Sequence, residues 1–198
     1  MKITQKYLSL GKLARGSLYD TTKPLLFAKP LERIIIHWIG PYPGQVVSTP
    51  WNWWENGNAA TGQMDGTGVR ASAQFVLKDV DVIQCAPLNE VLWHSGDMRN
   101  YDSIGIEVIP MNTHGEFSKQ TLDTLKLLIQ HIREETGINL PLKRHFDGTQ
   151  GKPCPLFYTE FSDVLTKDAQ GNIIDGQQRW ENLKMFLNGE DSTFSKVA

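Results

Sequence analysis

The sequence predicts a single α/β domain in which a central mixed β-sheet is flanked by α-helices. Three observations support this fold class. Short apolar runs typical of buried strands come first along the chain, and a long amphipathic helix follows them. The length of 198 residues suits one domain with a core of its own. Hydrophobic residues make up 40% and charged residues 21%, a composition unlike that of a disordered chain.

The predicted strands are short, apolar and separated by turn residues. The first contains three consecutive isoleucines and stops before a Gly-Pro pair. The second and third flank a tight turn at Lys78–Asp79, and the fourth is stopped by Pro110. The four ranges are 33–38, 72–78, 80–85 and 103–109.

The clearest helix is predicted over residues 119–136. One stripe of its surface repeats apolar residues at helical spacing, namely Leu122, Leu125, Leu128, Ile129 and Ile132. Ser118 is placed to cap its start, and Gly137 suits the left-handed position just past its end. A short helix is expected over 51–56 and a final one over 177–187.

The ends of the chain differ from this pattern. Residues 1–30 are rich in turn formers, so we expect an irregular N-terminal segment within a domain that spans 1–187. Residues 188–198 are polar and are expected to be a tail or the start of a linker. Neither a membrane span of ~20 apolar residues nor the apolar run of a signal peptide is found, so no membrane insertion is expected. The net charge of -2 argues against a broadly basic protein, so no nucleic-acid partner is expected.

Three residues have side chains that suit a metal ion. His37 ends the isoleucine strand, at the strand end where open α/β sheets tend to bind ligands, although this residue alone favours a hydrogen-bonded core histidine. His145 and Cys154 lie nine positions apart across a Gly-rich loop in which prolines flank the cysteine. Zinc accepts imidazole and thiolate together, and a catalytic zinc site needs three protein ligands and an open position. The same two residues also suit a Cys–His nucleophile pair.

Five segments, taken together and in order, resemble the zinc-dependent N-acetylmuramoyl-L-alanine amidases of the amidase-2, or peptidoglycan-recognition-protein-like, superfamily. This superfamily includes the T7-lysozyme type and many phage endolysins. The segments are 34–37, 72–77, 93–96, Asn100 with 103–107, and His145 with 151–155. They span most of the chain, and the resemblance implies a mixed sheet flanked by helices with a zinc ion in a groove on one face.

The resemblance also implies roles for individual residues. By position, His37, His145 and Cys154 match the zinc ligands, with cysteine where many members have aspartate. Glu107 matches the catalytic acidic residue of the endolysin branch, and Lys152 matches the lysine two positions before the last ligand. Glu107 is therefore expected to move protons, and Lys152 to stabilise the oxyanion.

Other positions carry weaker expectations. Ala73 stands where the T7-lysozyme branch has a tyrosine, which leaves more of the proton transfer to Glu107. Trp93 and His94 are candidates for lining the groove that binds the glycan–peptide substrate. Cys85, within a predicted strand, is expected to be a buried free thiol.

The function implied by the resemblance is that of a peptidoglycan hydrolase. It would use Zn²⁺ and water to cleave the amide between N-acetylmuramic acid and L-alanine, as an endolysin or autolysin. Such an enzyme would be made in the bacterial cytoplasm and act as a monomer at the cell wall. One alternative is a non-catalytic peptidoglycan-recognition module, although such modules typically lose a zinc ligand. Another is a Cys–His peptidase with Cys154 as nucleophile, but this cysteine is not predicted at a helix N-terminus, where a thiolate is activated.

Overall fold

A computed structural model describes residues 1–12, 14–17, 19–56, 71–148, 151–168 and 170–190 of the chain. Six strands form one mixed sheet: β1 (Lys2–Gln5), β2 (Arg33–Trp38), β3 (Phe75–Lys78), β4 (Asp81–Gln84), β5 (Ser103–Val108) and β6 (Leu142–Arg144). Their order is β1-β4-β3-β5-β2-β6, and every neighbouring pair is parallel except the β3–β4 hairpin. Two short strands, β7 (Thr166–Lys167) and β8 (Ile173–Ile174), pair separately. The predicted mixed sheet is therefore confirmed.

Three helices accompany the sheet: α1 (Ser48–Asn56), α2 (Lys119–Thr136) and α3 (Gly176–Leu187). The α2 helix has the predicted bounds, because Ser118 Oγ accepts the N–H of Thr121 at its start and Gly137 adopts a φ of 67° at its end. The α3 helix starts one residue earlier than predicted, where Asp175 caps it. Among the described residues, no helix is long and apolar enough to cross a membrane.

The expectation that residues 1–30 are irregular is wrong at their start, where β1 forms an outer strand of the sheet. β1 pairs in parallel with β4, and the Leu8 N–H continues the contact by donating to the Cys85 carbonyl at 2.8 Å. The sequence does not indicate this strand because its own residues are mostly exposed, so it lacks the apolar pattern of a buried strand. Further along, Arg15 forms a buried ion pair with Glu90 at 2.7 Å.

The β3–β4 hairpin is shorter than predicted. Its turn contains Asp79 in the left-handed region, with φ of 50°. Residues 72–74 precede β3 and use their polar groups elsewhere: Ser72 Oγ donates to the Ala14 carbonyl at 2.6 Å. Gln74 donates from Nε2 to the Glu90 carbonyl at 2.9 Å. These contacts connect the segment before β3 to loops, and the paired residues of β3 and β4 begin at Phe75 and Gln84.

The two faces of the sheet are covered differently. One face packs its apolar residues, such as Ile34, Ile36 and Ile106, against α2 and α3. The N-terminal segment and α1 cover part of the other face with a smaller core: Leu8, Ala14, Trp54, Ala73, Val76, Ile83, Cys85 and Ile109. Cys85 is a buried free thiol, as predicted. Because side chains alternate along a strand, the second face also carries polar residues of β2 and β5.

The C-terminal helix ends where the sequence predicts. α3 finishes at Leu187, and Asn188 Oδ1 then accepts a hydrogen bond from Arg133 of α2 at 3.0 Å. The backbone N–H of Glu190 donates to the Met185 carbonyl at 2.8 Å. The predicted polar tail begins at this point, and its residues 191–198 lie outside the described residues.

Candidate metal centre

The three predicted ligands converge at the carboxyl ends of two parallel strands. His37 lies near the end of β2, and His145 directly follows β6, whose last residue pairs with Ile36. Their Nδ1 atoms are 3.0 Å apart, and Cys154 Sγ lies 3.8 Å from His37 Nδ1. The three donor atoms all lie within 4.8 Å of one another, so the cluster could hold a metal ion.

The His145 ring is oriented by a backbone carbonyl. Its Nε2 lies 2.9 Å from the oxygen of Ser95. A carbonyl oxygen only accepts hydrogen bonds, so the neutral ring carries its proton on Nε2 and keeps a lone pair on Nδ1. That lone pair faces His37 and Cys154, which is the arrangement required of a metal ligand. Arg99 supports the segment by donating to the His145 carbonyl at 3.2 Å.

The Cys154 thiol is buried, with 2% of the residue exposed. Backbone hydrogen bonds hold it, because Trp38 N–H donates to Sγ at 3.5 Å and Phe146 N–H donates to the Cys154 carbonyl at 2.9 Å. Burial, together with the negative charge of Glu107, raises the pKa of this thiol above its ordinary value. A bound cation would favour the thiolate, because metal ligation requires the deprotonated sulfur.

Both ligand imidazoles are neutral at pH 7. Burial and the neighbouring His94 lower the pKa of His37 well below its ordinary value. Burial, followed by the positive charge of Lys152, lowers the pKa of His145 to about 4. The neutral ring is the form that ligates a metal, so the site favours metal binding over protonation.

Glu107 lies beside the ligands on the neighbouring strand. It pairs with His37 in the β2–β5 register, and its Oε1 is 3.9 Å from His37 Nδ1. Its Oε2 is buried and has no hydrogen-bond partner among the described residues. Burial raises the pKa of this carboxyl to about 8, although the charge of Lys152 acts in the opposite direction. A buried carboxyl with an unused oxygen is available to a ligand in the groove.

An open depression of ≈ 400 Å³ gives access to Glu107. Lys152 is exposed at this depression, and Glu107 lies within its wall; the remaining lining residues are Trp38, Ile39, Gly40 and Pro153. A larger depression of ≈ 480 Å³ at the C-terminal ends of α2 and α3 is lined by none of the predicted site residues, whereas two of them, Glu107 and Lys152, line the smaller one. Its size is therefore a poorer guide than the side-chain chemistry beside Glu107.

The two residues predicted to contact substrate have different surroundings. Trp93 is half-buried, with its Nε1 donating to the Gly16 carbonyl at 3.2 Å and its ring 6.0 Å from that of Tyr101. His94 is only 7% exposed and lies behind His37, inside the protein. The substrate contact of Trp93 stays a prediction, whereas the surroundings of His94 favour a different role.

Sequence reasoning assigned no individual role to several residues that support the site. Asn100 Oδ1 accepts the N–H groups of His94 and Ser95 at 3.0 and 2.8 Å, which fixes the loop that carries the Ser95 carbonyl. Ser103 and Gly105 contact His94 from β5. The signal available in the sequence is that Ser103, Gly105 and Glu107 follow one another at intervals of two residues, which places all three on one face of a strand.

Comparison with known proteins identifies clear relatives. The family described as N-acetylmuramoyl-L-alanine amidase matches residues 27–156. The chain is 37% identical over 138 residues to the N-acetylmuramoyl-L-alanine amidase XlyA of Bacillus subtilis (strain 168), an alignment covering 57% of this chain and 46% of XlyA. It spans less than half the length of the curated relatives that it matches.

Solved structures share the fold. The catalytic domain of XlyA superposes with a TM-score of 0.59 at 23% identity, covering 79% of this chain and 91% of that domain. The catalytic domain of PlyG superposes with a TM-score of 0.65 at 16% identity, covering 97% and 96% of the two chains. The sheet and helices around the candidate metal centre therefore have the same fold as these two catalytic domains.

Proposed function

Because this chain belongs to the amidase-2 family of N-acetylmuramoyl-L-alanine amidases, we propose that it is a zinc-dependent peptidoglycan hydrolase. The bond cleaved is the amide between the lactyl group of N-acetylmuramic acid and the first L-alanine of the stem peptide. The observation that carries this proposal is the convergence of His37, His145 and Cys154 beside the buried carboxyl of Glu107.

The donor set fits zinc. Two neutral imidazoles and one thiol match the mixed nitrogen and sulfur ligands of zinc sites, and three protein ligands leave one position open. Tetrahedral zinc separates two ligand nitrogens by about 3.3 Å and a nitrogen from a sulfur by about 3.6 Å. The corresponding distances here are 3.0 Å between His37 and His145, and 3.8 Å between His37 and Cys154. When bound, zinc polarises the substrate carbonyl and lowers the pKa of water toward ~7.

Glu107 is the proposed proton-transfer residue. Its carboxylate accepts a proton from the attacking water and then delivers it to the nitrogen of the leaving L-alanine. The β2–β5 register holds the carboxylate next to His37, while the depression leads to it from solvent. Its Oε1, 3.9 Å from His37 Nδ1, is the carboxylate oxygen beside the proposed ligands, while Oε2 is buried and has no hydrogen-bond partner among the described residues.

Lys152 is the proposed oxyanion-stabilising residue. The tetrahedral intermediate of amide hydrolysis carries a negative charge on the former carbonyl oxygen, and a positioned ammonium group lowers its energy. Lys152 lines the same depression as Glu107 and lies two residues before Cys154 in the loop. Its backbone carbonyl accepts the Cys154 N–H at 2.7 Å, which couples its position to that of the ligand.

The two alternative functions are less well supported. A non-catalytic recognition module has no need of a complete ligand set, and all three ligands are present here. A Cys154 nucleophile would need an exposed thiolate, whereas this thiol is buried and its pKa is raised. Peptidoglycan hydrolysis therefore remains the better proposal.

The proposal includes the setting of the reaction. The catalytic domain comprises residues 1–187, with the remaining residues as a tail or linker. It acts as a monomer on bacterial cell-wall peptidoglycan, without inserting into a membrane or binding nucleic acid. The support is the catalytic domain of XlyA, a bacterial amidase, which superposes over 79% of the chain. Both an endolysin and an exported autolysin fit this setting.

Mass spectrometry of digested cell walls tests the function directly. Purified walls are incubated with the zinc-loaded protein, and the soluble and insoluble products are analysed. Amidase activity gives stem peptides with a new free L-alanine amine, and glycan strands with intact lactyl groups. A chelator is expected to abolish the products, and added zinc to restore them.

The same digests separate the alternatives. Products cut within the stem peptide and insensitive to chelator would support the Cys–His peptidase. Binding to walls with no new amine at any zinc concentration would support the recognition module. Either result would overturn the proposal, whereas chelator-sensitive release of L-alanine amines would support it.

A further inference from the structure

His94 lies between the ligand His37 and strand β5, and both of its ring nitrogens face polar atoms. Its Nδ1 is 3.1 Å from His37 Nε2, and its Nε2 is 3.3 Å from Ser103 Oγ. The His37 and His94 rings meet edge to face, with centroids 5.2 Å apart. His94 is thus hydrogen-bonded to the ring atom of His37 that points away from the metal cluster.

Gly105 makes this position available. A Cβ built on Gly105 would lie 2.5 Å from Cγ and 2.6 Å from Cδ2 of the His94 ring. Any other residue at this position would therefore displace the imidazole, because two non-bonded carbon atoms do not approach so closely. Ser103 and Gly105 lie on the same face of β5 as Glu107, so one strand face both shapes the site and holds His94.

The direction of each hydrogen bond from Ser103 through His94 to His37 can be assigned by starting at Ser103. Ser103 Oγ donates its single proton to the Arg99 carbonyl, which can only accept. The Ser103 oxygen therefore accepts from His94 Nε2–H, and the neutral His94 ring keeps a lone pair on Nδ1. That lone pair accepts from His37 Nε2–H. The remaining lone pair of His37, on Nδ1, then faces His145 and Cys154.

We propose that His94 is a positioning residue that, with Ser103, fixes His37 as the tautomer whose Nδ1 ligates the metal. The proposal rests on the proposed function only in naming the metal as zinc. It gives His94 a role in metal affinity instead of the substrate contact expected from the sequence. Outer partners that orient a ligating histidine typically contribute 10- to 100-fold to metal affinity.

The tautomer can be measured in the metal-free protein, independently of any activity. Long-range proton–nitrogen correlation spectra of histidine-labelled protein distinguish Nε2–H from Nδ1–H rings. We expect both His37 and His94 to be Nε2–H tautomers at neutral pH. In His94→Leu, which removes the acceptor at similar volume, His37 is expected to become a mixture of tautomers. In His94→Asn, the side-chain oxygen can replace Nδ1 and keep the Nε2–H form.

Zinc affinity provides the second readout, by competition with a chromophoric chelator. His94→Leu is expected to bind zinc about 10- to 100-fold more weakly than the wild type. Ser103→Ala, which removes only the hydroxyl, is expected to weaken binding by about 10-fold. His94→Asn should remain within a few-fold of the wild type. His131→Leu is the matched control, because α2 packs against the opposite face of the sheet, and its affinity should not change.

The outcomes separate this proposal from the proposed function. Circular dichroism of each metal-free variant establishes that it is folded before its affinity is compared. An Nδ1–H tautomer of His37 in the wild type would overturn the proposal, as would a folded His94→Leu that binds zinc with wild-type affinity. A third outcome is possible, in which the tautomers and zinc affinities are as expected but the wild type releases no L-alanine amines from walls. This outcome would contradict only the proposed reaction.

Discussion

Glu107 and His37 occupy paired positions on two neighbouring parallel strands, and 3.9 Å separates Glu107 Oε1 from His37 Nδ1. Both residues lie within the strands, so the sheet ladder sets their spacing. The proposed proton-transfer carboxylate and the proposed metal ligand are thus held by one ladder, which keeps their relative position better than separate loops would. The two other proposed ligands, His145 and Cys154, lie in the segment after β6.

Replacing Cys154 tests the metal ligands. Cys154→Ala is expected to remove most of the bound zinc, because two imidazoles alone form an incomplete site. The measurement is metal analysis of protein purified and dialysed with zinc, where the wild type should hold about one ion per chain. Cys85→Ala is the control, since Cys85 is a buried free thiol on the part of the sheet covered by the N-terminal segment. Equal zinc content in the wild type and Cys154→Ala would rule out this ligand set.

Replacing Glu107 tests proton transfer. Glu107→Gln is expected to retain zinc but lower turnover on cell walls by about 10²–10⁴-fold. The substitution removes a titrating carboxylate, so the acid limb of the pH–rate profile should also become flatter. Glu134→Gln on the exposed side of α2 serves as the control and should keep wild-type turnover. Near-wild-type turnover of Glu107→Gln at saturating zinc would show that another group moves the proton.

Replacing Lys152 tests oxyanion stabilisation. Lys152→Ala is expected to lower turnover by about 10²–10³-fold, the cost of losing one oxyanion donor, without loss of zinc. The exposed Lys143 of β6 provides the control substitution, Lys143→Ala. The Glu107→Gln/Lys152→Ala double variant should lose less than the product of the single losses, because both residues act on one intermediate. Strictly multiplicative losses would contradict that shared action.

Asp97 gives a prediction for stability against pH. Its Oδ1 accepts the Arg99 N–H at 2.9 Å at the start of a short helical turn. Burial alone would raise the pKa of this carboxyl, but hydrogen bonds from Arg99 and Ser95 lower it to about 2. A lowered pKa stabilises the folded protein above the ordinary value of 3.8, and this stabilisation is lost as the pH falls toward about 2.

Asp97→Asn is therefore expected to lower the free energy of unfolding by about 2 kcal/mol at neutral pH. The difference from the wild type should shrink toward zero as the pH falls from about 4 to about 2. Urea titrations at a series of pH values measure it. Asp123→Asn on the surface of α2 is the control and should change stability by less than about 0.5 kcal/mol. A difference that is constant with pH would contradict the assigned cause.

Truncation tests the proposed C-terminal boundary. Asn188 and Glu190 make hydrogen bonds that complete the end of α3, so a chain ending at Glu190 retains them. Its thermal unfolding midpoint is expected to stay within about 2 °C of the full chain, since a surface change of under ~0.5 kcal/mol shifts Tm by that order. A chain ending at Leu187 should still fold but unfold at a lower temperature, because it lacks the hydrogen bonds of Asn188 and Glu190. Equal destabilisation of both would place the boundary beyond Glu190.

Local signals explain which parts of the fold could be predicted. The α2 bounds follow from Ser118, Gly137 and an apolar stripe, all of which lie within a few residues of the helix. β1 could not be predicted, because an exposed outer strand is stabilised by pairing with its neighbour β4 and does not require an apolar pattern of its own. The predicted start of β3 is too early because residues 72–74 are buried like a strand, although the Ser72 and Gln74 side chains donate to carbonyls outside the sheet.

The candidate site was predicted in a similar way. The resemblance named the ligands and Glu107, and the structure brings these residues together, although their catalytic roles stay predictions. The surroundings of His94 could not be predicted from the sequence, because they depend on the β2–β5 register and on the space above Gly105. Spacing along one strand can indicate a shared face, but it cannot show which distant side chain packs against that face.

The two outer strands of the sheet limit the backbone pairing that is available between copies of the protein. β1 has four residues and β6 has three, and exposed Lys2 and Lys143 lie on them. Asp147 accepts the backbone N–H of Arg144 at 2.8 Å, so one donor at the β6 edge is already used. Short, lysine-bearing edges give a second molecule few backbone groups to pair with and so oppose aggregation by strand addition. We therefore expect these two edges of the sheet to make few strand-to-strand contacts with other copies of the chain.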